Sequence, residues 1–213
     1  MGTFLAATAI RHEPDAVASA VEAFLTAYSA AVADESPALA EAASVYASGN
    51  DWSVVIWPTF FNVYDEPAAG QLSETCDTLV STVHTFGDDY WTHVLYDRGT
   101  QVDVFCSKPT YHLDGDANEK PLREALAGHP DLVAKAFGVE TDRVAAYLKH
   151  TDVDKPPAGS AADGDEHVLV DANVFTDFWR TLGIAYPGDE GDPAARVPLA
   201  TGWQGLLPVG MVP

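Results

Sequence analysis

Basic residues are scarce in this chain of 213 residues, which has 11 Lys and Arg against 32 Asp and Glu and a formal net charge of -21. Nucleic-acid binding depends on Lys and Arg at phosphates, and anionic membrane surfaces attract the same residues. We therefore expect neither nucleic acid nor membrane as a partner. Three explanations of the acidity stay open: solubility or a host-wide trait, attraction of a basic protein partner, and cation binding.

Cysteine and long apolar runs are also scarce. Two cysteines, Cys76 and Cys106, are too few for a disulfide framework, so we expect buried thiols in a reducing compartment. No apolar stretch approaches the ~20 residues of a membrane span, and the first residues lack the pattern of a signal peptide. The sequence therefore predicts a cytoplasmic protein.

Familiar catalytic motifs are missing as well. The chain contains no phosphate-binding glycine-rich loop, GxSxG, HExxH or CxxC. Residues 114–125 begin like a calcium loop, but Glu119 replaces the turn glycine and Ala125 replaces the bidentate glutamate. We read this segment as a capping turn, and no cofactor is predicted.

The clearest pattern lies between residues 78 and 109 and predicts three consecutive antiparallel strands. Branched or apolar residues alternate with small polar ones in Val80–Phe86, and turn residues separate this strand from the second, Tyr90–Tyr96, and the second from the third, Thr100–Ser107. A two-residue turn at Arg98-Gly99 would place Leu95 opposite Val102. One face would then carry Trp91, His93, Leu95, Val102, Val104 and Cys106, and the other Tyr90, Thr92, Val94, Tyr96, Gln101, Asp103 and Phe105.

The predicted fold class is α+β, with a mixed, mostly antiparallel sheet of about five strands, helices on one face and a C-terminal helical section. The other predicted strands are 3–10 and Trp52–Trp57, and the predicted helices are 14–33, 37–47, 67–76, 116–127, 130–137, 142–150 and one capped by Asp171. The organisation comprises a sheet domain (1–112), a small helical unit (113–150), a flexible linker (151–166), and a return helix with an apolar tail (167–213), all within one compact domain.

The central strands resemble a bacterial family of unknown function. The resemblance lies in Asp88-Asp89-Tyr90-Trp91, the turn Leu95-Tyr96-x-x-Gly99 and the strand Val102-Asp103-x-Phe105-x-Ser107-x-Pro109. It covers residues 50 to 185 and is similar to immunity-type or accessory proteins found beside bacterial toxins. The shared motifs are structural, so the resemblance implies a fold and a binding role, without catalytic residues.

Two sets of residues are candidates for a site. Exposed acids beside aromatic side chains would suit a basic partner, and the predicted binding residues are Asp88, Asp89, Tyr90, Trp91, Tyr96, Asp97 and Asp103. Alternatively, Asp88 and Asp89 are ordinary turn residues, or a pair for acid–base work. The second set, His84, His93 and Cys106, could hold zinc, although such residues more often have structural roles in strands.

The primary functional hypothesis is a non-catalytic, acidic protein-binding module, most concretely an immunity-like protein that neutralises a basic toxin. One alternative is a metal-assisted hydrolase that uses His84, His93 and Cys106 or the Asp88 and Asp89 pair. Another is a structural subunit of a homo-oligomer that buries its apolar C-terminal tail, which includes Trp203, Leu206, Leu207 and Met211.

Overall fold

A seven-stranded antiparallel sheet forms the centre of the molecule. A computed structural model describes residues 4–29, 42–58, 65–113, 119–188 and 191–199. The strands are β1 (Leu5–Ile10), β2 (Ala42–Gly49), β3 (Trp52–Trp57), β4 (Leu79–Phe86), β5 (Tyr90–Asp97), β6 (Thr100–Cys106) and β7 (Ala195–Pro198). Their order is β6-β5-β4-β1-β3-β2-β7, and every pair is antiparallel. The α+β class is therefore confirmed.

Helices and ordered loops cover both faces of the sheet. The helices are α1 (Pro14–Ser29), α2 (Asp65–Thr75), α3 (Glu119–Ala125), α4 (Pro130–Phe137), α5 (Thr141–Ala145) and α6 (Phe175–Thr181), with a 3₁₀ turn at Ala172–Val174. On one face α1 buries Val17, Val21, Phe24 and Leu25, whose helical spacing forms one apolar stripe. On the other face α4, α5 and α6 pack against Trp91, Leu95 and Phe105.

The sheet has more strands than the five expected. Residues 42–47, predicted as the end of an alanine-rich helix, lie in β2, and β7 lies in a region predicted as loop. Strand pairing overrides the helical preference of alanine here, because β2 pairs with β3 along one edge and with β7 along the other. The chain runs from β1 to β3 through α1 and β2, and these two strands are antiparallel like every other pair, so the sheet is not the mixed one that was expected.

The three central strands are confirmed, but the pairing of β5 with β6 differs by one residue from the predicted register. Leu95 faces Asp103 instead of Val102, and His93 faces Phe105, because the register shifts between Leu95 and Tyr96. Such a bulge moves subsequent side chains to the opposite face. As a result, Asp103 lies on the same face as His93 and is buried.

The segment 151–166, predicted as a linker, contains no helix or strand and is fixed at several points. The Tyr147 hydroxyl donates to Asp165 (2.8 Å), and the Arg180 guanidinium donates to the Gly164 carbonyl (3.2 Å) and to Asp165 (3.3 Å). Arg180 also donates to the fully buried Asp177 at 2.6 Å. The return helix is confirmed as α6, and its preceding turn is capped by Asp171 as predicted. The predicted apolar tail residues after Leu199 lie outside the described residues.

Candidate binding site: an aromatic and acidic surface patch

Two turns at one end of β5 bring aromatic side chains to the surface. The first turn, 87–89, joins β4 to β5 and is closed by the Asp89 amide, which donates to the Phe86 carbonyl at 3.2 Å. The second follows β6. Its Ser107 amide donates to the Trp91 carbonyl (2.9 Å), and its Ser107 hydroxyl accepts from the Trp91 amide (3.1 Å). These bonds hold the loop 107–113 beside the first turn.

Five rings from these turns and from the residue before β1 form a cluster that we call the aromatic patch: Phe4, Phe86, Tyr90, Tyr111 and His112. The Phe86 and Tyr90 rings stack with centroids 5.3 Å apart, and Phe4 meets Phe86 edge-on at 4.9 Å. Tyr111 lies 5.1 Å from Tyr90 and 4.9 Å from His112. Aromatic pairs at these distances stabilise one another beyond simple burial, so the cluster has a defined shape.

One hydrogen bond joins the aromatic patch to the carboxylate of Asp89, and another lies within the patch. The Tyr111 hydroxyl donates to Asp89 Oδ2 at 2.7 Å, and the Tyr90 hydroxyl lies 3.0 Å from His112 Nε2. Burial raises the pKa of Tyr90 to about 12, and the hydrogen bond to Asp89 raises the pKa of Tyr111. Both hydroxyls therefore keep their protons at neutral pH.

Part of the aromatic patch faces solvent. Phe4 and Tyr111 are each 42% exposed, the adjoining Leu113 is 38% exposed, and Asp88 and Asp89 are exposed. A neighbouring cation, the Lys108 ammonium, lies 5.9 Å from the centre of the Tyr111 ring. Aromatic side chains are enriched on surfaces that bind protein partners, whereas Asp and Glu are depleted there, so the rings and not the carboxylates mark this surface as a candidate site.

The predicted binding residues separate into three groups. Asp88, Asp89 and Tyr90 lie at the aromatic patch. Tyr96 and Asp97 lie at the other end of β5, where Tyr96 packs against Gly70 and Asp97 is 3.5 Å from the Arg98 guanidinium. Trp91 and Asp103 are only 1% and 2% exposed, which leaves them no surface for a partner.

The three residues considered for zinc do not come together. His84 is paired with Thr92 across the β4–β5 ladder, whereas His93 is paired with Val83, so the two imidazoles project from opposite faces of the sheet. Burial raises the pKa of Cys106 to about 11, so the thiol keeps its proton at neutral pH. Within the described ranges no group of three His, Cys, Asp or Glu side chains could hold a metal ion.

A buried polar array, which the sequence did not indicate, lies on the face of the sheet that is covered by α4, α5 and α6. The Trp179 indole N–H donates to Ser81 Oγ at 2.9 Å, Ser81 Oγ lies 3.0 Å from His93 Nε2, and His93 Nδ1 is 4.0 Å from Asp103 Oδ2. Asp103 Oδ1 accepts from the His129 amide at 2.7 Å. The array joins the sheet to α4 and α6. No sequence motif marks it, because its members come from three strands, from α6 and from the residue that precedes α4.

The order of hydroxyl, imidazole and carboxylate in this array is that of a serine hydrolase triad, but its surroundings differ. Ser81 and His93 are fully buried, and the indole of Trp179 contacts the hydroxyl that a substrate would have to reach. Ser81 also lies inside β4, between β1 and β5. The position of Ser81 within the core therefore favours a structural role for the array.

A surface cleft of about 640 Å³ lies between the β2–β3 hairpin and the segments around α6. Its polar lining includes Asn50, His167 and Arg180, but these groups already have partners. Asn50 donates to the Gly183 carbonyl (3.2 Å), His167 Nδ1 lies 3.2 Å from Asp171, and Arg180 contacts three carboxylates. These three side chains therefore already make polar contacts within the protein, which weakens the case for the cleft as a binding site.

Comparison of the chain with protein-family models, curated proteins and solved structures gave no match. Within the part of the chain that the structure describes, no helix is both long and apolar enough to cross a membrane. The family resemblance of the central strands stays a prediction.

Proposed function

We propose that this chain is a non-catalytic, acidic protein-binding module whose aromatic patch contacts a basic protein. The concrete form of this proposal is an immunity-like protein that neutralises a basic toxin. The observation that supports it most is the juxtaposition of partly exposed Phe4 and Tyr111 with the exposed carboxylates of Asp88 and Asp89.

The proposed roles of the two kinds of residue differ. Aromatic side chains supply large contact areas and lose little conformational entropy on binding, so Phe4 and Tyr111 would anchor the partner. The net charge of -21 would accelerate the encounter with a basic protein and would act over a distance that salt shortens. Affinity from the rings and association rate from the charge are separable by experiment.

The direct test is capture of host proteins on the wild-type chain and on two variants with the same change in charge. Asp88→Asn with Asp89→Asn alters the patch and keeps an acceptor near Tyr111. The control, Asp131→Asn with Glu140→Gln, removes two exposed carboxylates at α4 and beside α5. We expect one basic protein to be retained by the wild type and the control at about 0.05 M salt and released at about 0.3 M. The patch variant should retain much less of it.

Purified partner then allows the two contributions to be separated. The association rate should fall steeply with salt for the wild type and the control, and Tyr111→Leu should mainly increase the dissociation rate. Equal retention by the patch variant and the control would overturn the proposed site. A tight partner whose association is insensitive to salt would contradict the role of the net charge.

A further inference from the structure

We propose that the aromatic patch receives an arginine side chain of the basic partner, and that Lys108 occupies the same ring face in the unbound protein. This inference rests on the proposed function and specifies the chemistry of the contact. It assigns opposite roles to two neighbouring residues: Tyr111 accepts the partner's cation, and Lys108 competes with it.

The position of Lys108 indicates that the face of Tyr111 accepts a cation. Its ammonium lies 5.9 Å from the ring centroid, within the range of a cation–π interaction. The lysine side chain is partly exposed and connected by a flexible stem, and the ring is 42% exposed. An incoming cation can therefore replace the ammonium without rearranging the backbone.

The Tyr111 ring is held in place before any partner arrives. Its hydroxyl donates to Asp89 Oδ2 at 2.7 Å, and its ring contacts Tyr90 at 5.1 Å and His112 at 4.9 Å. A ring that is already oriented loses little freedom on binding, which favours affinity. The hydrogen bond also fixes the Asp89 carboxylate at the hydroxyl edge of the ring.

This combination of a π face and an adjacent carboxylate suits arginine better than lysine. A planar guanidinium can stack on the ring while its N–H groups point outward to a carboxylate, whereas an ammonium is compact and more strongly hydrated. Asp88 and Asp89 provide two exposed negative charges beside the ring. Arginine is also among the residues that contribute most to protein interfaces.

The test is a titration of the isotope-labelled chain, followed by amide chemical shifts, with three small probes: arginine amide, lysine amide and citrulline amide. Each probe is acetylated at its α-amine, so that only the side chain can carry charge. The citrulline side chain is planar but uncharged, so it controls for stacking without charge. We expect arginine amide to shift the amides of residues 88–90, 108 and 110–112, lysine amide to do so more weakly, and citrulline amide to leave them unchanged.

Two variants test the opposite roles that are assigned to Lys108 and Tyr111. Lys108→Met keeps the stem and removes the competing charge, so arginine amide should bind about threefold more tightly. Tyr111→Leu keeps an apolar side chain and removes the π face, so the localised shifts should disappear. A spectrum with unchanged dispersion elsewhere establishes that each variant is folded.

The inference is overturned if arginine amide shifts acidic residues evenly over the surface, if lysine amide binds equally well, or if Lys108→Met weakens binding. Its failure differs from a failure of the proposed function. Capture that depends on Asp88 and Asp89, combined with no effect of arginine amide, would retain the binding module and reject this contact. Capture that is independent of the patch would reject the module itself.

Discussion

The residues around His93 determine which nitrogen of its ring carries the proton. The indole N–H of Trp179 can only donate, so Ser81 Oγ accepts from it and can direct its own proton to His93 Nε2. The imidazole proton then resides on Nδ1, which faces the Asp103 carboxylate at 4.0 Å. Neither Nδ1 nor Asp103 Oδ2 has a hydrogen-bond partner among the described residues, so the contact between His93 and Asp103 is the weakest one in the array.

The first prediction concerns the pH dependence of stability. Burial lowers the pKa of His93 to about 4, although the nearby Asp103 partly opposes this. The unfolded chain, with a histidine pKa of about 6.5, therefore binds more protons than the folded chain between these values. The stability contributed by neutral His93 is complete above pH ~6.5 and declines as the pH falls towards ~4.

We expect His93→Gln to reduce this pH dependence. Between pH ~7.5 and ~5 the wild type should lose about 2 kcal/mol more than the variant, measured by urea unfolding at both pH values. The variant should be less stable than the wild type at pH ~7.5, because a buried array has been altered. His167→Gln, which changes a partly exposed histidine, is the control. Equal acid sensitivity of wild type and His93→Gln would contradict a neutral, buried His93.

Only some residues of the candidate site could be predicted from the sequence. Asp88, Asp89 and Tyr90 were identified because turn acids next to an aromatic residue form a local pattern. Tyr111 and His112 were not identified, since they join the patch only through the return of the chain after β6. Asp103 was placed on the wrong face because one bulged residue changes the alternation, and no local residue pattern announced that bulge.

At the scale of elements, the turn between β5 and β6 is packed tightly against α2. The Gly99 amide donates to Ser73 Oγ at 3.1 Å, and Gly99 has a φ of +79°. A Cβ at this position would lie 2.9 Å from Glu74 Cβ, which is closer than carbon atoms in proteins approach. The turn therefore requires glycine for two reasons, its backbone conformation and its contact with the helix.

The second prediction separates these two reasons. Gly138, at the end of α4, has a similar φ of +70°, but a Cβ there would meet nothing within 4 Å. We expect Gly138→Ala to cost about 1 kcal/mol, from backbone strain alone. Gly99→Ala should cost about 1–3 kcal/mol more, because it also forces α2 and the turn apart. Urea unfolding of both variants measures the difference, and equal losses would exclude the close contact as a source of stability.

Local signals explain which elements were predicted. The strands β4, β5 and β6 are separated by glycine-containing turns and have alternating patterns, so their positions followed from the sequence. The sequence Ala42–Gly49 is rich in small residues and lacks a comparable pattern, and its strand conformation depends on partners at distant positions. β7 has only four residues and ends in proline, so its pairing with β2 has no local signature.

At the scale of the whole molecule, charge repulsion opposes folding. The formal charge is -21, and several of the described basic groups, including Arg98, Arg123 and Arg180, are already paired with carboxylates. The remaining acids repel one another more strongly in the compact chain than in the unfolded one. Screening by salt should relieve this repulsion.

The third prediction is that stability increases with ionic strength. Raising NaCl from about 0.02 M to about 0.5 M should increase the free energy of unfolding by about 1 kcal/mol or more, measured by urea unfolding. LiCl and KCl should have the same effect as NaCl if screening is responsible. A dependence on the identity of the cation would point instead to specific cation binding, which the composition left open. No increase with any salt would contradict the importance of repulsion.

The position of β1 in the sheet has a consequence for synthesis of the chain. β1 lies between β3 and β4, so both of its partners are made after it, and the second is complete only at residue 86. An emerging chain therefore lacks β3 until residue 57 and β4 until residue 86, so one edge of this central strand stays unpaired while residues 11–86 are made. The sequence of β1, Leu-Ala-Ala-Thr-Ala-Ile, consists mainly of small side chains. Few large apolar groups are consequently exposed to other nascent chains before the sheet closes around the strand.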